Sequence, residues 1–412
     1  MRDHDIVVYG ATGFAGVLVA GHLAAHAPAG TRIALAGRSP ERLAAVRARL
    51  GVDWPVIVAD AMDAAALAGL AASARVVISA AGPYAKYGHA LVHACAQAGT
   101  DYADLSGEVL FVRRSIDDNH ELASKTGARI VHSCGFDSIP SDIGVHVLHA
   151  AVTEAGAGEL TGTTLVVTSM KGGASGGTID SMRTQLDTVR ADRAARRIAA
   201  SPYSLTPDRD AEPDLGRQED IVTVAARDVD PALRGTLAPF VMASYNTRIV
   251  RRSNALRGYA YGRGFRYRET ISTGTGPLSP VRAAATTIGL GALMAGLALR
   301  PTRIVLDRIL AKPGDGPSES ARRKGHFTMD IFTTTTTGAR FSARFKAKGD
   351  PGYAATAVML GESALALALD RDALPPSPGG VLTPATGIGD ALVTRLRNAG
   401  MEIGAAERVA TH

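Results

Sequence analysis

Cysteine is almost absent from this chain: Cys95 and Cys134 are the only two in 412 residues. Set in what read as a helix and a strand, they leave no disulfide framework and no metal-ligand spacing, so a reducing compartment and no metal are expected. Lysine is nearly as scarce, seven against 38 arginines. With Ala and Gly abundant, that bias fits a GC-rich genome, and the net charge of +6 identifies no acidic partner by itself. Each remaining lysine gains interest for the same reason. A disorder-forming composition is missing too. With 46% hydrophobic and 20% charged residues and no dominant low-complexity block, the chain can bury a large core. The first five residues are mostly charged and lead straight into an apolar strand, without the pattern of a secretory signal, so the expected location is cytoplasmic. The length suggests two packed domains.

What is present begins at residues 5–9, a short buried-strand pattern that ends in Gly10-Ala-Thr12-Gly13-Phe14-Ala-Gly16 and continues with helical apolar spacing over 17–25. Strand, glycine turn and helix in that order suit a dinucleotide. Gly10 allows the tight turn, Gly13 lets backbone amides approach a pyrophosphate, and Gly16 lets helix pack on strand; Thr12 and Phe14 belong to the same loop. The next strand, 32–38, ends in Gly37, Arg38 and Ser39 where an NAD enzyme would place an acid for the ribose hydroxyls. Arg38 can pair with a 2′-phosphate and Ser39 can cap the following helix and donate to the same group, so NADP(H) is the expected cofactor. Segments 56–60 and 75–82 continue the strand–helix alternation that demands a parallel sheet. Asp60, at a strand end, is a candidate for the adenine edge. Ala81, Gly82 and Pro83 end the fourth strand at the carboxyl edge, where the nicotinamide half would lie. Segments 100–104 and 128–132 complete about six strands, with helices near 88–98 and 108–126, giving an α/β, Rossmann-type doubly wound sheet.

The ordered runs Gly10–Gly16, Ala81-Gly-Pro-Tyr84 with Gly88, Cys95–Tyr102, Asp104-Leu-Ser-Gly-Glu108 and Cys134-Gly-Phe-Asp-Ser-Ile-Pro-Ser-Asp142 cover most of the first 145 residues. Ser175-Gly-Gly-Thr178 extends them. Together they resemble the saccharopine dehydrogenase-like oxidoreductases, in the branch that includes the mycobacterial trans-acting enoyl reductases. The resemblance implies a Rossmann domain with an inserted α+β domain, and reduction of a polyketide-type enoyl thioester carried by another protein; the acyl partner is expected on an acyl carrier protein or on coenzyme A. The domains are then expected at 1–145, completed by 350–412, and at 146–349. Reduction of an imine or carbonyl, as the family name suggests, and a non-catalytic NADPH- or lipid-binding scaffold are the alternatives.

In the second half, 161–171 reads as a strand and Ser175–Thr178 as a loop and cap for a helix over 179–198. Residues 201–216, with three prolines, read as a loop, and 327–336 with 339–348 as a hairpin around Thr337-Gly338. Helices are expected over 353–369 and within 383–398. Residues 246–268 hold seven arginines and no acid, interleaved with Tyr259, Tyr261, Phe265 and Tyr267. That run suits either a solvated arginine face or a guide for a phosphopantetheine phosphate or an acidic carrier; no nucleic-acid-reading module accompanies it. Residues 283–299 are uncharged and bounded by Arg282 and Arg300. Seventeen residues span roughly 25 Å as a helix, short of a hydrocarbon core of roughly 30 Å. A buried or homodimer-interface helix, a helix lining a lipid channel or making peripheral membrane contact, and a true span all stay open for it.

Adding hydride to an enoyl Cβ builds charge on the thioester oxygen and requires a proton at Cα, so the site needs donors. Tyr84, following the fourth strand, leads the candidates, with Tyr87 and Lys86 close in sequence. Asp137 and Ser138 follow the sixth strand in a loop that opens a helix. Lys171 ends a strand before Gly-Gly and offers a proton or a grip on a carbonyl. His89, His93, His132 and His146 lack ligand spacing and read as packed or surface residues.

Overall fold

The structure, a computed structural model, describes residues 2–173, 175–299, 302–303 and 316–408. The apolar runs of the first 131 residues form six parallel strands: β1 (His4–Tyr9), β2 (Ile33–Gly37), β3 (Val56–Val58), β4 (Ala74–Ser79), β5 (Asp101–Asp104) and β6 (Arg129–Val131). A seventh, β13 (Gly380–Leu382), arrives from the carboxyl-terminal part and pairs with β6. The order β13-β6-β5-β4-β1-β2-β3 reverses direction between β1 and β4, which opens the crevice where ligands bind in doubly wound sheets. Strands buried on both faces need apolar side chains throughout, and β1, β2 and β4 supply them: Ile6, Val7, Val8, Leu35, Val77 and Ile78 are all buried.

The second sheet is mixed: β7 (Leu160–Lys171), β8 (Val224–Ala225), β9 (Thr236–Pro239), β10 (Arg266–Ser272), β11 (His326–Thr335), β12 (Arg340–Lys348) and β14 (Glu402–Glu407), in the order β14-β12-β11-β7-β10-β9-β8. β11 and β12 are the hairpin read from the alternation. The helix Ile139–Glu154 packs against both β12 and β14 and is buried along nearly its whole length. The stretch expected to complete the first domain divides: β13 and the helix Thr356–Leu369 pack on the first sheet, whereas β14 joins the second. Residues 409–412 lie outside the described residues.

Three expectations are corrected. The helix over 179–198 is two, Gly176–Ala191 and Arg193–Ala200, because Asp192 caps the second through the Ala194 amide. The arginine run is only partly a surface: Arg263 and Arg266 are exposed, but its first three arginines are not. Arg248, Arg251 and Arg252 lie inside on the helix Ala243–Leu256, donating to the carbonyls of Ala199, Pro202, Leu205, Tyr267 and Val381, with Arg248 also paired to Asp220. They are staples that satisfy loop backbone and tie 199–205 to both sheets. Finally, the uncharged run sits in a helix, Ser279–Ala298, that is mostly exposed, with Val281 at 66% and Ile288 at 71%. It is therefore not a core helix; Arg300, its flanking charge, lies outside the described residues.

Candidate active site

Every parallel strand delivers its following loop to the same edge. After β1, Gly10 turns in the left-handed region at φ 76°, and a Cβ on Gly16 would stand 2.2 Å from the Gly10 carbonyl oxygen, so only glycine lets the helix Phe14–His26 start this close. The first amides of a helix have no intrahelical partner, and Gly13 caps this one without a side chain. That leaves an uncapped, positively polarised helix end over the glycine turn, as a pyrophosphate requires. Phe14 turns its ring onto the edge of Tyr353, centroids 4.7 Å apart.

After β2, Ser39 caps the helix Pro40–Leu50 through the Arg42 amide, and Arg38 is exposed. Arg42 reaches back across the turn to the Thr12 carbonyl at 3.3 Å, a second guanidinium at the glycine turn that the spacing argument missed. Asp60 accepts from the Met62 amide at 2.9 Å. Arg38 and Asp60 both act on Tyr9: burial pushes its hydroxyl up to about 12, the Asp60 charge adding and the Arg38 charge opposing. These residues fit an adenosine bearing a 2′-phosphate, with Arg38 and Arg42 as its cations and Gly37 leaving room beneath.

After β4, Ala80, Gly82 and Tyr84 line a cleft that also takes in Ser133, Asp137, Thr178 and Met242. Pro83 caps the turn Tyr84–Tyr87. Glu108, buried, receives the amides of Tyr84 and Ala85 at 2.9 and 2.8 Å and the Ser181 hydroxyl at 2.6 Å, so one carboxylate fastens the cofactor-side turn to the helix Gly176–Ala191. Asp104 in turn holds His132 Nδ1 and the amides of Ser106 and Ser133.

Two cleft residues bear on proton supply. Burial pushes the Asp137 carboxyl up to about 6, although the Thr178 hydroxyl bond opposes the shift, so it retains its proton far above an ordinary aspartate. Ser133 sits at φ 69°, a left-handed conformation uncommon outside glycine, and its Oγ shares a hydrogen bond with the buried Tyr245 hydroxyl. Neither Ser133 nor Tyr245 stood out in sequence; the only hint was that Ser133 adjoins the Cys134–Asp142 run.

Residues 6–131 match the family model described as the saccharopine dehydrogenase NADP-binding domain. Over its whole length the chain is similar to mycobacterial proteins. It is 54% identical over 410 residues to a protein of Mycobacterium tuberculosis provisionally named a trans-acting enoyl reductase, with 98% of this chain and 97% of that one covered. It is 50% identical over 415 residues to the trans-acting enoyl reductase of Mycobacterium ulcerans, with 98% of each covered. This chain belongs to the trans-acting enoyl reductase family. Apo saccharopine dehydrogenase (L-Glu forming) from Saccharomyces cerevisiae shares its fold, with a TM-score of 0.52 at 14% identity over 98% of this chain and 99% of that one. The family member described here is an NADP-dependent oxidoreductase.

Against that background the sequence candidates separate. The residues proposed for the cofactor follow β1, β2, β3 and β4 at one edge of the first sheet. Asp137 reaches the cleft. Tyr84 does too, but its hydroxyl donates to the Ser79 carbonyl at 2.9 Å and accepts from the Leu105 amide at 3.1 Å. Burial also drives it well above the usual phenol range. Its polar capacity is taken up by backbone, so it shapes the turn and does not serve as the free donor expected of it. Tyr87 and Lys86 face solvent. Lys171 is likewise exposed at the end of β7; its neighbours Met170 and Gly172 line a pocket next to the cleft, and strand alternation turns Lys171 away. Of the histidines, His93, His132 and His146 pair with Asn119, Asp104 and Asp390.

Proposed function

We propose that this protein reduces the α,β double bond of an acyl thioester presented by a separate carrier. The observation that carries the reading is the charge of the cleft lining. Among the described residues it contains no lysine, arginine or histidine, and Asp137 is its one acidic side chain. A saccharopine-type substrate bears several carboxylates and would need convergent cations; here it would meet only an aspartate. A thioester carries no charge and asks for hydroxyls, amides and apolar walls, which is what the lining supplies.

Gly10–Gly16, Arg38 and Arg42 would hold NADPH, which would supply a hydride equivalent when bound. The protein's part is to orient the acyl group, to meet charge on the thioester oxygen and to deliver a proton. Ser133 Oγ shares a hydrogen bond with the Tyr245 phenol, and when the phenol donates it the Ser133 hydroxyl keeps its own proton for the thioester oxygen. Asp137, protonated below about pH 6, gives its proton to Cα as the C=C pair becomes a C–H bond, and recovers one from water. Hydride at Cβ and proton at Cα together account for the two hydrogens gained.

The test is NADPH oxidation with enoyl thioesters on coenzyme A and on an acyl carrier protein, beside imine and keto-acid substrates. Turnover of enoyl thioesters, reduced roughly a hundredfold or more in Asp137→Asn, is expected. Oxidation only with a polycarboxylate imine would replace this reading, and tight NADPH binding without oxidation on any substrate would favour a sensor or scaffold.

A further inference from the structure

A second cavity joins the cleft through shared walls at Phe136, Asp137, Thr178, Met182 and Met242. Its polar side chains, Asp137, Ser175 and Thr178, all belong to the shared part. The remainder is walled by glycine, proline and apolar residues alone, among them Met170, Ile179, Phe240, Leu293 and Leu297. A pocket of that kind holds no partners for water and takes apolar matter. The flexible thioethers of Met170, Met182 and Met242 can adapt to a chain of varied shape. The outer wall is the helix Ser279–Ala298, which turns Leu297 inward, 1% exposed, while Ile288 on the same helix stands in solvent.

We propose that this cavity is the acyl-chain site, with the thioester held in the cleft at Asp137 and the hydrocarbon running between the helices Gly176–Ala191 and Ser279–Ala298. The proposal rests on the thioester reading above and adds where the chain lies and what sets its length. Each methylene moved from water into the pocket gains roughly 0.8 kcal/mol, about fourfold in affinity, until the pocket is full. Leu293 and Leu297 then act as specificity determinants although they are remote from the glycine turn.

The test measures binding of saturated acyl-coenzyme A from C4 to C16 by displacement of a fluorescent fatty acid, without any turnover. For the unaltered protein, affinity is expected to climb about fourfold per methylene and then level off. Leu293→Trp should weaken C16 roughly tenfold or more while flattening the series, and Ile288→Trp, on the exposed face of the same helix, should leave the series as it was. A C16 thioester carrying a diazirine at its far end should label residues 289–299 or 240–242, a readout that needs no variant to fold. A flat series, an unaltered series in Leu293→Trp, or labelling elsewhere would overturn the pocket. Chain-length-dependent binding with no NADPH oxidation by any enoyl thioester would instead overturn the reductase proposal and leave the pocket standing.

Discussion

Replacing Asp137 with asparagine removes one titration and keeps the shape of the side chain, so its consequences can be worked out with sign. The folded protein holds the proton to about pH 6, whereas the unfolded chain releases it near the ordinary 3.8. Between those values the native state binds more protons than the unfolded state, so the contribution is present in full below 3.8 and is lost as pH rises through 6. The span corresponds to about 3 kcal/mol. Between pH 5 and pH 8, where the protein is easier to handle, about 1.4 kcal/mol of it remains to be lost. Urea unfolding at the two pH values should show the natural protein losing that much more stability than Asp137→Asn. The buried carboxyls of Asp142 and Glu269, pushed up to about 6 and about 7, contribute in the same direction but cancel in the comparison. Catalysis carries the same signature: if protonated Asp137 is the acid, enoyl reduction falls about tenfold per pH unit above 6, and Asp137→Asn is slow and without that decline. Equal stability differences for the two proteins, or a rate independent of pH from 5 to 8 in the natural protein, would refute the assignment.

Gly16→Ala must displace the Gly10 carbonyl, so calorimetry should find NADPH binding lost, and thermal unfolding should show about 1–3 kcal/mol of destabilisation. Arg38→Ala and Arg42→Ala should each lower NADPH affinity roughly ten- to a hundredfold and leave NADH affinity nearly unchanged; an unaltered preference in both removes them from the phosphate site. Arg252→Met abandons the carbonyls of Leu205 and Val381 in the interior, and denaturant unfolding should register a loss of about 2–5 kcal/mol. Glu108→Gln should reduce turnover, and a crystal structure should show the Ala85 amide released while Tyr84 and Ser181 stay bonded, because the amide keeps one acceptor oxygen where the carboxylate has two.

The first domain was legible because its signals are local. Glycine spacing, apolar strand runs and turn residues each act within a few positions, and Gly10–Gly16, Arg38 and Ala81–Pro83 lie where those signals put them. β13 escaped notice because three residues paired with β6 across 250 positions leave no periodic trace. β10 was hidden differently: Arg266 and Arg268 alternate with buried Tyr267 and Glu269, so the alternation is real, but the arginines read as a surface patch. The same blindness covered Arg248, Arg251 and Arg252, since a charge pattern does not reveal carbonyls waiting in a distant loop. Tyr84 was correctly placed at the cleft, yet its role depended on Ser79 and Leu105, whose backbone atoms take both bonding directions of the phenol. The chemistry of Asp137 was the least legible, because its proton affinity comes from the burial that the folded surroundings impose.

The helix Gly176–Ala191 carries Thr178 on the Asp137 carboxyl, Ser181 on Glu108, and Ile179 and Met182 in the apolar cavity, all within its first two turns. Side chains three and four apart on a helix are neighbours on one face. A hydrocarbon tail that shifts the helix at Met182 would therefore displace the Thr178 contact on Asp137 and the Ser181 contact on Glu108 together. Cargo of the wrong length would misalign the chemistry even when its reactive end is correct, and proofreading of chain length would come from mechanical linkage, with no separate checkpoint.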